Sequence, residues 1–317
     1  MEKGNLLWYI KDAIKWRKEH LVLGFLVLTF APRDVSFGKR FRFFFAKLRL
    51  LLPIPNRYME RYAEMFALGF SLVSENYEEI YEREGLLYVV PKGKLSGVSN
   101  LIATIELLSQ YREPPVIVEE GDVVLDCGAF IGITSLLFSK LAGKSGKVIA
   151  IEPEENNYAT LQKIAKLNEG NSATIIPLKV AVYRENCELE LYISDNPIFS
   201  SCHTLYRDIE HKTIRESLIG LTEKVKAVKI DTLVEELGLE RVDFIKMDIE
   251  GAEIDALLGA ERTISQFKPK LAICTYHRPT DSIEIKKILS KYNPNYKFKE
   301  IERGEKVLFA WDEMERV

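Results

Sequence analysis

Apolar and polar positions alternate in blocks along the second half of the chain. Val123 to Leu125 form a short run without charge, which predicts a strand buried on both faces of a sheet. After a turn with two glycines, apolar residues recur at helical spacing from Ile133 to Leu141, which predicts a helix. The same succession continues toward the C terminus. It predicts an α/β fold with a doubly wound, mostly parallel, Rossmann-like sheet and helices on both faces.

This pattern gives five core strands with helices after most of them. The predicted strands are 123–127, 148–151, 174–180, 242–248 and 271–276, and the predicted helices are 133–141, 154–167, 252–258 and 282–289. Residues 297–301 and 306–311 add a C-terminal antiparallel strand pair. Residues 187–193 and 225–230 predict a further pair, which encloses a long polar insertion at a place in the chain order suited to covering an active site.

The pattern also divides the chain into three parts. Residues 1–62 are predicted to be an N-terminal helical appendage, residues 63–115 an α+β lead-in with a turn at Gly85, and residues 116–317 the main domain. Between Arg33 and Arg61 there are eight basic residues and two acids, beside a helical stripe of Phe and Leu. Such a segment could lie on an anionic membrane surface, or pack on the main domain or on a second subunit. Peripheral membrane contact and a homodimer therefore both stay open.

Composition sets further bounds on the protein. The net charge of −3 predicts no general affinity for nucleic acid. The four cysteines form no Cys-x-x-Cys pair, which disfavours a zinc site or a disulfide framework and favours the cytoplasm. The apolar run at residues 21–31 is well short of the roughly 20 residues that a membrane-spanning helix needs.

The turn after the first core strand carries the first chemical signal. Its pattern is Asp126-x-Gly128-x-x-x-Gly132, and glycines let the backbone approach a ligand closely. This spacing differs from the Gly-x-Gly-x-x-Gly of dinucleotide enzymes. Glu152 ends the second strand, where an acid can hold ribose hydroxyls. The two features indicate a nucleoside ligand without a pyrophosphate, and together they resemble S-adenosylmethionine-dependent methyltransferases.

A second acidic stretch ends the fourth core strand. Glu253 could simply favour a helix N-terminus. Asp248, however, ends an apolar strand, and a partly buried carboxylate there needs a partner. His277 follows the fifth strand, so we expect it at the same edge of the sheet as Asp248 and Glu250.

The surrounding motifs sharpen the resemblance. They closely resemble the signature of the FkbM family in four stretches: Ile245-Lys-Met-Asp-Ile-Glu-Gly-Ala-Glu253, Leu257-Leu-Gly-Ala260, Lys229-Ile-Asp-Thr-Leu233 and Tyr276-His-Arg-Pro-Thr-Asp281. The likeness runs from about Tyr77 to the C terminus. It implies an S-adenosylmethionine-dependent O-methyltransferase that acts on a hydroxyl of a sugar, a glycan or a small metabolite.

The resemblance also implies roles for individual residues. Asp126, Gly128 and Gly132 would hold the methionine part of the cofactor, directly or through water. Glu152 would take the ribose, and Ala181 would lie by the adenine unless it is ordinary strand packing. Asp248 and Glu250 would face the methyl group and the acceptor, and His277 would be the base. Two acids do not establish a metal site, so we expect none, with Mg²⁺ at Asp248 and Glu250 as the alternative.

Two other classes of function remain as alternatives. A nicotinamide-dependent oxidoreductase is disfavoured by the spacing of the glycine turn. A non-catalytic membrane adaptor on a methyltransferase fold is suggested by the N-terminal region, but the joint presence of Asp126, Glu152, Asp248 and His277 argues against it.

Overall fold

The computed structural model describes residues 71–75, 78–91, 101, 105, 109–193, 203–205, 222–303 and 305–313. The predicted helical appendage at residues 1–62 and most of the polar insertion lie outside these residues. The chain separates into two compact units, residues 1–103 and residues 104–317.

The first unit contains an antiparallel sheet of three described strands in the order β1-β2-β3. These strands are β1 (Ser71–Glu75), β2 (Glu78–Arg83) and β3 (Leu86–Pro91). Gly85 lies in the β2–β3 turn with φ +80°, a conformation that glycine adopts without strain. The predicted turn is thus confirmed, whereas β1 was not predicted.

The second unit is built on a sheet of seven described strands, in the order β13-β14-β12-β11-β4-β5-β6. Five of them are parallel neighbours, namely β4 (Val123–Cys127), β5 (Lys147–Ile151), β6 (Thr174–Leu178), β11 (Phe244–Met247) and β12 (Lys270–Cys274). The last two, β13 (Tyr296–Arg303) and β14 (Glu305–Asp312), form the predicted antiparallel pair.

Helices cover both faces of this sheet. The described residues hold α1 (Ile133–Ala142), α2 (Glu155–Leu167), α3 (Ile230–Glu236), α4 (Glu253–Leu258), α5 (Glu261–Phe267) and α6 (Asp281–Tyr292). Alternate strand residues point to opposite faces. Val124 and Phe244 therefore pack with Phe138 of α1, while Leu125 and Ile245 pack with residues of α3 to α6. The predicted α/β fold is confirmed.

The chain order reverses at the centre of the sheet. From β4 the chain builds β5 and β6 on one side and then returns to place β11 on the other side of β4. Ligands of such sheets bind outside the carboxyl ends of the strands at this switch point. Asp126 ends β4 and Asp248 follows β11, so the topology brings the two predicted acidic stretches together.

A smaller sheet corrects two predictions. Its described strands have the order β7-β10-β8-β9, with β7 (Ala181–Val182), β8 (Cys187–Ile193), β9 (His203–Leu205) and β10 (Thr222–Val228). The predicted strand 174–180 ends at Leu178, because Ala181 and Val182 pair with β10 instead. The predicted strand 225–230 begins earlier and ends at Val228, because Ile230 begins α3. The antiparallel pairing of β8 with β10 agrees with the prediction.

Within the described residues, no helix is long and apolar enough to cross a membrane.

Candidate active site

The turn after β4 and the loop after β11 touch each other through Gly128. A Cβ atom at this position would lie 1.9 Å from the carbonyl oxygen of Asp248, which is far inside any real contact. Gly128 also has φ +78°, where a side chain is strained. The glycine was predicted for its closeness to a ligand. The structure shows that it is first required for the contact between two loops at the switch point.

A buried ion pair lies directly beneath this contact. Lys246 of β11 is 2% exposed and Asp126 is fully buried, and Lys246 Nζ lies 3.3 Å from Asp126 Oδ1. The same amine donates to the carbonyl oxygens of Gly128 at 2.6 Å and Cys127 at 3.2 Å. Burial alone would lower the pKa of Lys246, but the charges of Asp126 and Asp248 outweigh it and the pKa is raised. Lys246 is therefore charged and fixes the shape of the glycine turn.

Asp126 belongs to this internal network and is not on the surface of the site. Its Oδ2 accepts a hydrogen bond from the Ser135 hydroxyl at 2.6 Å. Burial raises its pKa, while the charge of Lys246 opposes that rise. A side chain with no exposed surface does not touch a ligand directly. Asp126 thus helps to organise the glycine turn, and its predicted role toward the methionine part of the cofactor, directly or through water, stays a prediction.

Glu152 ties the glycine turn to the end of β5. Its Oε2 accepts a hydrogen bond from the Phe130 backbone N–H at 2.9 Å, and its Oε1 accepts one from Glu154 N–H at 3.1 Å. Glu152 is 5% exposed, and burial raises its pKa to about 7. A carboxylate in such a site gains from further donors. Ribose hydroxyls are donors of this kind.

Asp248 stands at the carboxyl edge between two tyrosines. The Tyr111 hydroxyl donates to its Oδ2 at 2.7 Å, and the Tyr276 hydroxyl donates to its Oδ1 at 3.0 Å. Burial, followed by the charge of Asp248, raises the pKa of both tyrosines. The two phenols therefore remain hydrogen-bond donors and do not act as bases.

His277 lies between two carboxylates. Its Nε2 is 3.1 Å from Glu250 Oε2, and its Nδ1 is 3.5 Å from Glu253 Oε1. Burial lowers the pKa of His277, but the hydrogen bond to Glu250 and the charges of Glu253, Glu250 and Asp248 outweigh it, so the pKa is raised. Glu253 is 1% exposed and accepts a hydrogen bond from the Ile249 N–H at 2.9 Å. Burial raises its pKa to about 7.

The backbone at Glu250 is unusual. Glu250 has φ +56° and Gly251 follows with φ +96°. A left-handed conformation costs a residue with a side chain roughly 1–2 kcal/mol. This conformation accompanies the contact of the Glu250 carboxylate with His277, so the loop stores strain at the place where these two side chains meet.

The remaining predicted residues have other surroundings. Gly132 has φ +93° and ends the turn at the start of α1, where a Cβ would lie 2.7 Å from Leu161 Cδ1. Ala181 is buried in β7 and packs with Leu191, Val225 and Ala227 of the smaller sheet. Its placement supports ordinary strand packing, and the adenine contact stays a prediction.

The site also contains a set of metal-type ligand atoms. One ligand atom each from Asp248, Glu250 and His277 lie within 4.8 Å of one another, and so do atoms of Asp248, Cys274 and Glu305. Mg²⁺ prefers oxygen ligands in an octahedral arrangement. The first set could supply two oxygens. His277 already contacts both neighbouring carboxylates, so the geometry is equally that of a hydrogen-bonded network.

Several residues of this edge were missed from the sequence. Lys246 left a signal, because a charge inside an apolar strand needs a buried partner. Tyr111 left none, since it reaches Asp248 from 137 residues away. Glu305 follows only from the hairpin that returns β14 alongside β12.

This edge suits a nucleoside that carries a positive charge and no pyrophosphate. Glu152 presents a carboxylate at the predicted place of a ribose, and Asp248 and Glu250 present negative charge at the predicted place of a sulfonium. These features agree with the methyltransferase class. The Methyltransferase FkbM domain matches residues 126–303, more than half of the 317 residues. The chain belongs to the FkbM methyltransferase family.

Individual relatives are distant. The hexuronic acid methyltransferase AglP of Haloferax volcanii is 24% identical over 59% of this chain and 69% of its own length. The 2-O-methyltransferase NoeI of Sinorhizobium fredii is 24% identical over 59% of this chain and 77% of its own. Another curated relative is matched over only 8% of its length.

One solved structure belongs to the same family by its description. It is the methyltransferase FkbM from Methylobacillus flagellatus KT, which is 24% identical with a TM-score of 0.47, over 64% of this chain and 47% of that one. The present chain thus spans about half of that protein.

Proposed function

We propose that this protein transfers a methyl group from S-adenosylmethionine to a hydroxyl of a sugar, a glycan or a small metabolite, with His277 as the base. The observation that carries the proposal is the meeting of Asp248, Glu250 and His277 at the edge where the glycine turn also ends. Two relatives whose names specify methylation of a hexuronic acid and of a 2-hydroxyl support a sugar-like acceptor.

The chemistry asks mainly for alignment and for removal of one proton. S-adenosylmethionine supplies a methyl group on a positively charged sulfur. The acceptor oxygen forms a bond to this methyl carbon as the carbon–sulfur bond breaks, so the protein must hold the three atoms in line. The hydroxyl proton passes to the imidazole of His277. Glu250 Oε2 at 3.1 Å and Glu253 Oε1 at 3.5 Å stabilise the imidazolium that results.

The raised pKa of His277 gives this role a clear pH dependence. Only the neutral imidazole accepts a proton, and the surrounding carboxylates favour the protonated form. Activity should therefore rise with pH through a pKa above the ordinary histidine value of about 6.5. Asp248 contributes differently, because its two oxygens already accept hydrogen bonds from Tyr111 and Tyr276. We assign it to positioning the acceptor and to balancing the sulfonium charge.

The test is methyl transfer from trideuteromethyl S-adenosylmethionine to a panel of sugars, with products detected by mass spectrometry. We expect products that survive mild alkali, because an ether is stable there and a methyl ester is hydrolysed. Only alkali-labile products would overturn O-methylation of a hydroxyl. Loss of activity with EDTA and its return with Mg²⁺ would instead assign Asp248 and Glu250 to a metal.

The acceptor, and any membrane contact, belong to the same proposal. If the acceptor is held at a membrane, the basic segment from Arg33 to Arg61 would bring the protein to it. This membrane contact is proposed from the sequence alone. The full chain should sediment with anionic liposomes at low salt and be released as salt screens the surface charges. Absence of sedimentation at low salt would remove the membrane from the proposal.

A further inference from the structure

The acceptor side of the site carries an excess of negative charge. Besides Asp248 and Glu250, Glu305 at the start of β14 brings a third carboxylate to this edge. Oxygens of Asp248 and Glu305 and the Cys274 sulfur lie within 4.8 Å of one another. Burial raises the pKa of Glu305, and the charges of Asp248 and Glu250 raise it further.

Among the described residues, the nearby cationic side chains do not cancel this charge. Lys246 is buried and pairs with Asp126. Lys306, the neighbour of Glu305, pairs with Glu300 at 2.8 Å. Arg278 is exposed and donates to the carbonyl oxygen of Gly251 at 3.3 Å. His277 contacts the carboxylates of Glu250 and Glu253. One imidazolium thus faces several carboxylates.

The same edge is rich in hydrogen-bond acceptors and poor in free donors. The hydroxyls of Tyr111 and Tyr276 already donate to Asp248. Gln110 donates its Nε2–H to Glu305 at 2.6 Å. Its Oε1 then has no hydrogen-bond partner among the described residues, although Gln110 is only 5% exposed. A buried amide oxygen without a partner is costly, so this position adds one more unused acceptor close to Glu305.

An aromatic surface lies beside these carboxylates. Tyr276 is 39% exposed and its ring contacts that of His277 at a tilt of 35°, with ring centroids 4.1 Å apart. An exposed tyrosine offers an apolar face beside a polar tip. The apolar face of a sugar ring would fit against it while its hydroxyls donate to the carboxylates.

We propose that the acceptor is a sugar unit without negative charge, neutral or amino-bearing, and that Asp248, Glu250 and Glu305 exclude uronic acids. This inference rests on the proposed function. Hydroxyl and ammonium groups supply the donors that the edge lacks, whereas a carboxylate supplies none and is repelled. The protein would then differ in acceptor from its hexuronic acid methyltransferase relative.

The experiment compares matched sugars that differ in one group. Methyl glycosides of glucose and glucuronic acid, of galactose and galacturonic acid, and of mannose and mannuronic acid are assayed for ether formation at low and high salt. In each reactive pair we expect kcat/KM to favour the neutral sugar by about tenfold or more at low salt. The preference should shrink at high salt, because salt screens charge repulsion.

A variant isolates the contribution of Glu305. Glu305→Gln should narrow the preference for the neutral sugar, because it removes one charge and keeps the shape. Glu302→Gln, on the same hairpin with an exposed side chain, is the matched control and should leave the ratio unchanged. If Glu305→Gln fails to fold, the comparison of neutral and acidic sugars at low and high salt with the wild-type protein still tests the charge inference.

The outcomes separate the two proposals. Equal or better methylation of a uronic acid hydroxyl would overturn the charge inference and leave O-methylation of sugars standing. Binding of S-adenosylhomocysteine without ether formation on any sugar would overturn the sugar acceptor itself, and the charge inference with it.

Discussion

Replacing Lys246 by methionine should damage both the stability of the protein and its cofactor site. Methionine fills a similar volume but removes the amine that lies 3.3 Å from Asp126 Oδ1 and donates to the Gly128 carbonyl at 2.6 Å. Asp126 would keep the Ser135 hydroxyl as its remaining hydrogen-bond donor among the described residues. The side chains of Lys246 and Asp126 are both buried from solvent, so water cannot replace the missing amine.

The structure sets the size of this effect. Removing one member of a buried ion pair leaves an uncompensated charge and costs about 3–5 kcal/mol. That is a large part of the 5–15 kcal/mol that typically stabilises a protein. This loss of stability should become smaller as the pH is lowered. Without Lys246 the folded-state pKa of Asp126 lies further above its unfolded value, so the penalty is full at high pH and is relieved as Asp126 takes up a proton.

The assay is urea unfolding of Lys246→Met at about pH 8 and about pH 5, together with calorimetry of S-adenosylhomocysteine. Lys297→Met, an exposed lysine of β13, is the control and should cost little. The double variant Asp126→Asn/Lys246→Met should recover part of the loss, because no buried charge is left unpaired. A loss below about 1 kcal/mol with unchanged affinity would refute the view that this pair organises the glycine turn.

Three further predictions follow from the geometry of the edge. His277→Ala should lower turnover by about 10²–10⁴-fold. The rise of activity with pH in the wild type, which the raised pKa of His277 sets, should be absent from this variant. Near-normal turnover would show that the histidine is structural. Gly128→Ala should cost more than about 2 kcal/mol and weaken cofactor binding, because its Cβ meets the Asp248 carbonyl. Gly170 has the same φ of +78°, but a Cβ there would have nothing within 4 Å, so Gly170→Ala measures the backbone cost alone, about 1 kcal/mol. Equal losses of stability in the two variants would show that the contact with Asp248 does not matter. Glu152→Gln should unfold at higher urea than wild type at about pH 8 and lose this advantage near pH 4, because the pKa of about 7 makes the charged carboxylate cost up to about 3 kcal/mol as pH rises through 7. A glutamine variant that is less stable at the higher pH would contradict that reasoning.

Much of the edge could be predicted because parallel strands end at a common side of the sheet. Asp248, Glu250 and His277 were placed together from their positions after apolar runs, and the structure brings their ligand atoms within 4.8 Å. The contact of Gly128 with Asp248 could not be predicted from a turn pattern. It depends on β4 and β11 being neighbours, and this neighbour relation is a property of the sheet order.

Other parts of the site depend on contacts between distant segments. Asp126 was expected to hold the methionine part of the cofactor, directly or through water. Its full burial beside Lys246 was not expected, because the charge of Lys246 inside an apolar strand was overlooked. Ala181 was expected directly after the third core strand, and the structure places it in the smaller sheet, separated from β6 by two residues of non-strand backbone. Tyr111 and Gln110 precede the main sheet in sequence and reach the edge only through the fold.

The most direct test of this account is a calorimetric measurement of S-adenosylhomocysteine binding to wild type, Glu152→Ala and His277→Ala. We propose that the edge has a cofactor part with Glu152 and an acceptor part with His277. We therefore expect binding to wild type, a loss of about 1–3 kcal/mol of binding free energy in Glu152→Ala, and nearly unchanged affinity in His277→Ala. Equal affinity of Glu152→Ala and wild type, or a larger loss in His277→Ala than in Glu152→Ala, would contradict it.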